Sequence, residues 1–217
     1  MTMKKTTKKQ RLFFALAPQQ PADSVTALHQ LTCQIDQAVP IDNLHITLAF
    51  LGMVTPAQTE AIVQAIDNHP PTGAFSATFS TLGYWRRSKV VWLGCPQPPA
   101  PLQDLVDHLY TVLAPCGIVR EPRPYAPHIT LAKAIKQRPT ALLETLTPPA
   151  LTFHFPAFGL YISTTEHAQP PSQPHAQHSV QRRALPLSGS VATVNTVIPS
   201  TRQSEQWAAT VRIHNNV

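Results

Sequence analysis

The pentad His-Ile-Thr-Leu-Ala occurs twice, at 45–49 within NLHITLAF and at 128–132 within APHITLAK, 83 residues apart. No other feature restricts the fold so much. On a β-strand successive side chains point to opposite faces. His45, Thr47 and Ala49 therefore share one face, and Ile46, Leu48 and Phe50 the other. The second copy sets His128, Thr130 and Ala132 against Ile129 and Leu131 in the same way. The aliphatic face has to be buried against helices, which leaves the His/Thr face to line a groove. Two copies predict pseudo-twofold lobes that present two histidines and two threonines to a shared cleft.

The flanking sequence reads as short strands and amphipathic helices. RLFFALA (11–17) is a strand by its bulky apolar character, and Pro21 opens a helical pattern with Val25, Leu28, Leu31 and Ile35 on one stripe. Strand 43–52 follows, and Thr55-Pro56 cap and start a helix to about Asn68. SATFSTLGYW (76–85) and KVVWLGC (89–95) form a hairpin around Arg86, Arg87 and Ser88. Residues 101–117 predict a third helix, 127–133 a strand, 139–146 a short helix and 151–163 a strand bent at Pro156. Residues 164–177 are a Pro-rich loop, 178–187 recover strand character, and 188–217 read as a poorly ordered tail beyond a domain spanning 11–187. These elements lack the regular βα spacing of a doubly wound sheet. They predict an α+β fold, with antiparallel sheets covered by helices on one face.

Composition excludes several classes. The apolar runs fall short of the ~18–20 residues that span a bilayer. RLFFALAP behind the N-terminal lysines is too short for a secretory leader and lacks a small-residue cleavage site, so the expected location is the cytoplasm. Cys33, Cys95 and Cys116 are odd in number and widely spread, which suits neither a disulfide framework nor a thiolate zinc site. Charged residues make up 13% of the chain, with a net charge of +6. The cations are bunched: Lys4, Lys5, Lys8 and Lys9 on an arm at 1–10; Arg86, Arg87 and Lys89; Arg120 and Arg123; Lys133, Lys136 and Arg138; Arg182 and Arg183. Such clusters favour a phosphate-bearing partner.

Paired imidazoles suit attack at phosphorus. With an ordinary pKa near 6.5, histidine exists in both protonation states close to neutral pH. One neutral ring takes a proton from water while the opposite imidazolium protonates the departing oxygen. The Thr47 and Thr130 hydroxyls, two residues along the same faces, are placed to donate to the non-bridging oxygens. The scheme needs no metal, and H-x-T is not a zinc or magnesium spacing.

The two H-I-T-L motifs, the RLFFAL opening, NLHITLAFLG and PYAPHITLA resemble the two-histidine (2H) phosphoesterase superfamily. Within it they are most similar to the RNA 2′,3′-cyclic phosphodiesterases, also called 2′-5′ RNA ligases. The resemblance runs from about Arg11 to Leu187. It implies a bilobal α+β fold with two antiparallel sheets, helices on their outer faces and a central cleft. It also implies hydrolysis of RNA 2′,3′-cyclic phosphate ends, tRNA fragments among them, to 2′-phosphomonoesters without metal or nucleotide cofactor. No exposed heptad or repeat array demands an assembly, so a monomer is expected. Ligation to a 2′-5′ linkage is the reverse step. His45 and His128 become the acid/base pair, with His45 as acid on the 3′-oxygen and His128 as base on water. Thr47 and Thr130 become phosphate contacts.

Lys133 stands where many relatives place an arginine, supplying charge without the bidentate fork. Strict alternation turns it to the back face, so a phosphate contact there requires a bulge. Ala184 replaces a frequent aromatic, and the arm, the 164–177 loop and the tail lie outside the family pattern. Tyr84, Trp85 and above all Tyr125 are candidates to stack on a base. Arg86 and Arg87 are candidates to hold the RNA backbone. Trp92 reads as core; His29, His108 and His154 as structural or exposed; His167, His175 and His178 as part of a polar linker. Two other functions fit the same residues: a phosphodiesterase for small cyclic nucleotides or ADP-ribose cyclic phosphate, and a non-catalytic RNA-binding module. Dependence of turnover on substrate length separates the first, and binding without turnover the second.

Overall fold

The computed structural model describes residues 8–71, 73–165 and 178–186. Its strands are β1 (Gln10–Leu16), β2 (Ile46–Val54), β3 (Phe75–Phe79), β4 (Thr81–Trp85), β5 (Val90–Gly94), β6 (His128–Ala132), β7 (Leu151–Phe155), β8 (Ala157–Thr165) and β9 (His178–Pro186). Its helices are α1 (Ala22–Thr32), α2 (Pro56–Asn68), α3 (Ala100–Leu113) and α4 (Thr140–Thr145). The strands form two antiparallel sheets, one of seven strands in the order β4-β5-β6-β2-β1-β8-β9 and one made of β3 and β7. The α+β architecture agrees with the sequence.

The order of elements shows the duplication. Residues 10–85 run β1-α1-β2-α2-β3-β4, and residues 90–165 repeat this as β5-α3-β6-α4-β7-β8. The halves are interlaced, because β4 of the first pairs with β5 of the second, and β8 of the second pairs with β1 of the first. The large sheet is therefore two half-sheets, β4-β5-β6 and β2-β1-β8-β9. They join where Ile46 of β2 faces Ile129 of β6.

Several expected boundaries need correction. Residues 76–85 are not one strand: the chain changes sheets at Ser80, between β3 and β4. The bend at Pro156 is the equivalent change between β7 and β8. Helix α1 stops at Thr32, although its apolar stripe continues to Ile35, which is buried from the following turn. Strand β2 starts at Ile46 and runs through Gly52 to Val54 instead of spanning 43–52, and α3 ends at Leu113, short of 117, with a tighter turn at Ala114–Cys116. Two other boundaries follow local chemistry. Thr55 and Gln58 form a reciprocal capping box at α2. Beyond α3, Gly117 adopts the left-handed conformation, with φ of 79°. Residues 164 and 165 belong to β8, while 166–177 and 188–217 lie outside the described residues.

A single core fills the space between the sheets and helices. It includes Leu12, Phe14 and Leu16 of β1, Leu105 and Leu109 of α3, and Phe153 and Phe155 of β7. Phe13 and Ala15, on the other face of β1, form a separate buried cluster with Tyr161. This alternation identifies the second face of the large sheet.

Candidate active site

Both motif strands carry the same irregularity. On β2, Thr47 faces Ala15 and Ala49 faces Phe14, leaving Leu48 as an extra residue. On β6, Thr130 faces Trp92 and Ala132 faces Val91, leaving Leu131 extra. These are β-bulges, which shift the alternation beyond them by one residue. Leu48, Ala49, Leu131 and Ala132 all lie in the core. The expectation that Ala49 and Ala132 share the His/Thr face is thus corrected. Phe50 faces Phe13 across the β1–β2 ladder and so returns to the His/Thr face. Lys133 occupies the equivalent place after the second bulge, so β6 contains the irregularity that a phosphate-facing Lys133 requires.

At the join, Ile46 and Ile129 are fully buried. His45 and Thr47 flank one and His128 and Thr130 the other, so all four turn to the opposite face. Antiparallel pairing sets His45 beside Thr130 and Thr47 beside His128. Each imidazole is held alike. His45 Nδ1 donates to the carbonyl of Asn43 at 2.7 Å, and His128 Nδ1 to that of Ala126 at 2.8 Å. A proton fixed on Nδ1 leaves Nε2 as the reactive nitrogen. Burial, and after it the Arg123 guanidinium, hold His128 below the ordinary histidine value, against an opposing contribution from the Ala126 carbonyl. His128 is thereby suited to be the neutral, proton-accepting partner at neutral pH.

Each histidine has its own aromatic wall. The His45 ring lies 5.0 Å from Phe13 and 6.1 Å from Tyr161, centroid to centroid. The His128 ring meets Trp85 edge-on at 4.4 Å, and Trp85 lies 5.3 Å from Trp92. Tyr161 pairs with Phe13, two residues from Ala15, and Trp85 pairs with Val90, two residues from Trp92. The two aromatics therefore hold equivalent places in the pseudo-twofold.

The family model for the 2′-5′ RNA ligase superfamily matches residues 11–167. The chain belongs to this superfamily. It is 35% identical over 161 residues to the RNA 2′,3′-cyclic phosphodiesterase of Escherichia coli K12, covering 71% of this chain and 88% of that protein. It is 30% identical over 133 residues to a protein of the same name from Geobacillus stearothermophilus, covering 58% of this chain and 42% of that one. Among solved structures, apo LigT of E. coli superposes with a TM-score of 0.67 at 29% identity, covering 84% of this chain and 99% of LigT. A structure described as a phosphoesterase gives 0.69 at 29%, covering 83% and 99%.

Against this 2′-5′ RNA ligase fold, the other sequence candidates separate. Trp85 stands on the site face against His128. Tyr84 packs against the core. Tyr125 also packs against the core and donates its hydroxyl to the Thr47 carbonyl at 3.0 Å, tying the approach to β6 onto β2. Burial pushes its phenol well above the ordinary tyrosine value, which keeps it a donor. Arg86 and Arg87 are exposed on the β4–β5 turn. Lys133 is exposed as a residue, yet the chain around it desolvates the ammonium enough to lower its pKa, and Arg11 adds repulsion.

Trp92 is the clearest correction. It faces Thr130 and Gly83 across the ladders, and its indole lies flat over Gly83 and Gly94, where a Cβ would collide with the ring. It is site wall and not core. A glycine beside a large aromatic on a neighbouring strand is the signal that sequence reading passed over. Phe13, Tyr161, Arg11 and Arg123 were also missed as site neighbours. His108 Nε2 donates to the His69 carbonyl at 2.7 Å, and His154 Nδ1 lies 3.3 Å from the Ser76 hydroxyl. A depression of about 550 Å³ beside Ser24, Ser76, Thr152 and His154 contains neither motif.

Proposed function

We propose that this protein hydrolyses the 2′,3′-cyclic phosphate at RNA ends to a 2′-phosphomonoester. The observation that carries the reading is the pair of equivalently held imidazoles, each beside the other motif's threonine. Water attacks phosphorus as His128 Nε2 takes its proton. The P–O3′ bond breaks as the His45 imidazolium delivers a proton to the departing 3′-oxygen. The charge that builds on the non-bridging oxygens is met by the Thr47 and Thr130 hydroxyls and by Lys133. Both proton transfers are accounted for by the imidazoles. Ligation is the same step run forward and not its reverse: the 5′-hydroxyl of a second RNA replaces water, His128 takes its proton, and the P–O3′ bond breaks with protonation by His45 to leave a 2′-5′ linkage.

The relatives' name, RNA 2′,3′-cyclic phosphodiesterase, supports the substrate class, and LigT has been crystallised with 3′-AMP. Tyr125 positions Thr47, and Arg86 and Arg87 supply charge for an RNA backbone near Trp85. Fragments of tRNA fall within this substrate class. The protein acts as a monomer in the cytoplasm. No helix among the described residues is long and apolar enough to cross a membrane.

The test is hydrolysis in EDTA of a short RNA ending in a 2′,3′-cyclic phosphate, with wild type, His45→Ala and His128→Ala. Each variant should lose roughly 10²–10⁴-fold in rate. The product should be a 2′-phosphate, read by mass and phosphatase sensitivity. Unchanged rates in both variants would remove the histidines from the chemistry. Binding of the RNA without turnover by wild type would leave a binding module.

A further inference from the structure

Two clusters of cations far apart in the chain meet beyond Trp85. The turn between β4 and β5 carries Arg86, Arg87 and Lys89, and the segment after β6 carries Lys136 and Arg138. The amide of Ile135 donates to the Lys89 carbonyl at 3.2 Å, which fixes that segment against the turn. Ile135 is itself part of the core, and α4, which follows, packs against β4. Lys89 and Ala134 both adopt left-handed backbone, with φ of 54° and 56°. Residues with side chains hold that conformation where their surroundings impose it, so the chain is sharply turned at both partners of the hydrogen bond. All five cations are exposed, and none makes an ion pair among the described residues.

The patch belongs to one half of the pseudo-twofold. Counted back by the 83-residue spacing of the motifs, Lys133, Lys136 and Arg138 correspond to Phe50, Met53 and Thr55, none of them charged. Trp85 ties the patch to the site. Its ring meets His128 edge-on at 4.4 Å and is 37% exposed, and Arg86 follows it directly. The cations therefore begin where the wall of His128 ends.

In the proposed reaction, on which the inference rests, the attacking and leaving oxygens lie in line across phosphorus. His45 serves the 3′-oxygen, so the strand with the cyclic end occupies the His45 side. His128 serves the nucleophile. Water in that place needs no surface beyond the imidazole, whereas a 5′-hydroxyl brings a polyanionic strand with it. We infer that Arg86, Arg87, Lys89, Lys136 and Arg138 hold the phosphates of a second RNA strand, the one whose 5′-hydroxyl attacks in 2′-5′ ligation. Exposed, unpaired cations leading away from an aromatic suit single-stranded nucleic acid, whose backbone they follow without reading its sequence.

The experiment supplies an RNA with a 2′,3′-cyclic end and a separate hexanucleotide with a free 5′-hydroxyl. The 2′-5′ joined product and the hydrolysed end are followed together. At about 0.1 M salt the double variant Lys136→Gln/Arg138→Gln should raise the KM for the hexanucleotide roughly tenfold, as loss of two phosphate contacts does. The log–log salt dependence of ligation should flatten by about 1.4. Hydrolysis of the cyclic end without the hexanucleotide should be unchanged. The charge-keeping variant Lys136→Arg/Arg138→Lys should ligate like wild type. Circular dichroism and thermal melting exclude misfolding. An equal loss in hydrolysis would assign the cations to the cyclic-ended strand and overturn the inference. So would unchanged ligation by the double variant, or a wild type that hydrolyses the cyclic end without joining the hexanucleotide. Wild type inactive in hydrolysis would instead overturn the proposed reaction.

Discussion

The hydroxyl of Tyr125 donates to the main-chain carbonyl of Thr47 at 3.0 Å, so the segment leading into the second motif is fastened to the strand of the first. Tyr125→Phe removes that bond and leaves the carbonyl short of a partner. Stability should fall by about 1 kcal/mol, or roughly 2–4 °C in Tm for a chain of this size. Because Thr47 moves relative to His128, kcat should fall several-fold with KM little changed. Thermal melting and steady-state kinetics on one preparation read both effects.

In the proposed reaction the Thr47 and Thr130 hydroxyls meet charge that exists fully only in the transition state. Thr47→Val and Thr130→Val keep the branched shape on a half-exposed site face. Each should lower kcat by roughly 10²-fold, the lower end for loss of one donor to a developing oxyanion. A rise in KM with kcat unchanged would assign them to ground-state binding instead.

Burial, and then Arg123, depress the pKa of His128. In the proposed reaction the group works as a neutral base, so kcat/KM should fall on the acid side with a midpoint below the ordinary 6.5. Arg123→Gln removes one of the lowering causes, and the midpoint should move upward. Arg123 is 72% exposed and paired with Glu121 at 2.6 Å, so added salt should shrink this difference. The sign for stability is the same: a depressed histidine favours folding above its unfolded pKa, and the benefit is lost as pH falls.

Gly83 lies beneath the Trp92 indole, and an added Cβ would overlap the ring. Gly83→Ala should force Trp92 up against Trp85 and disturb the edge contact with His128. The expected cost is about 1–3 kcal/mol of stability, with a fall in kcat and altered tryptophan fluorescence. An unperturbed melt would show that the sheet yields at β4, the edge of its half-sheet.

The strand character of the motifs, the cap of α2 and the two imidazoles were legible because each depends on local pattern or residue chemistry. The faces of Lys133, Phe50 and Trp92 were not. A strand's alternation holds only while its ladder is regular, and the bulges at Leu48 and Leu131 appear only in the register with β1 and β5. The split at Ser80 escaped notice because both sides of it carry strand-forming residues, and only their partners differ.

By itself, the sequence determined that two histidines and two threonines recur at matching places on two copies of one strand, since residue type and period are carried by the chain. Tertiary structure alone decided that the halves exchange β4 and β8, that Ile46 meets Ile129 and that Phe50 faces Phe13, the ring beside His45. Those outcomes depend on which strands pair, and pairing is a contact between residues far apart in the chain.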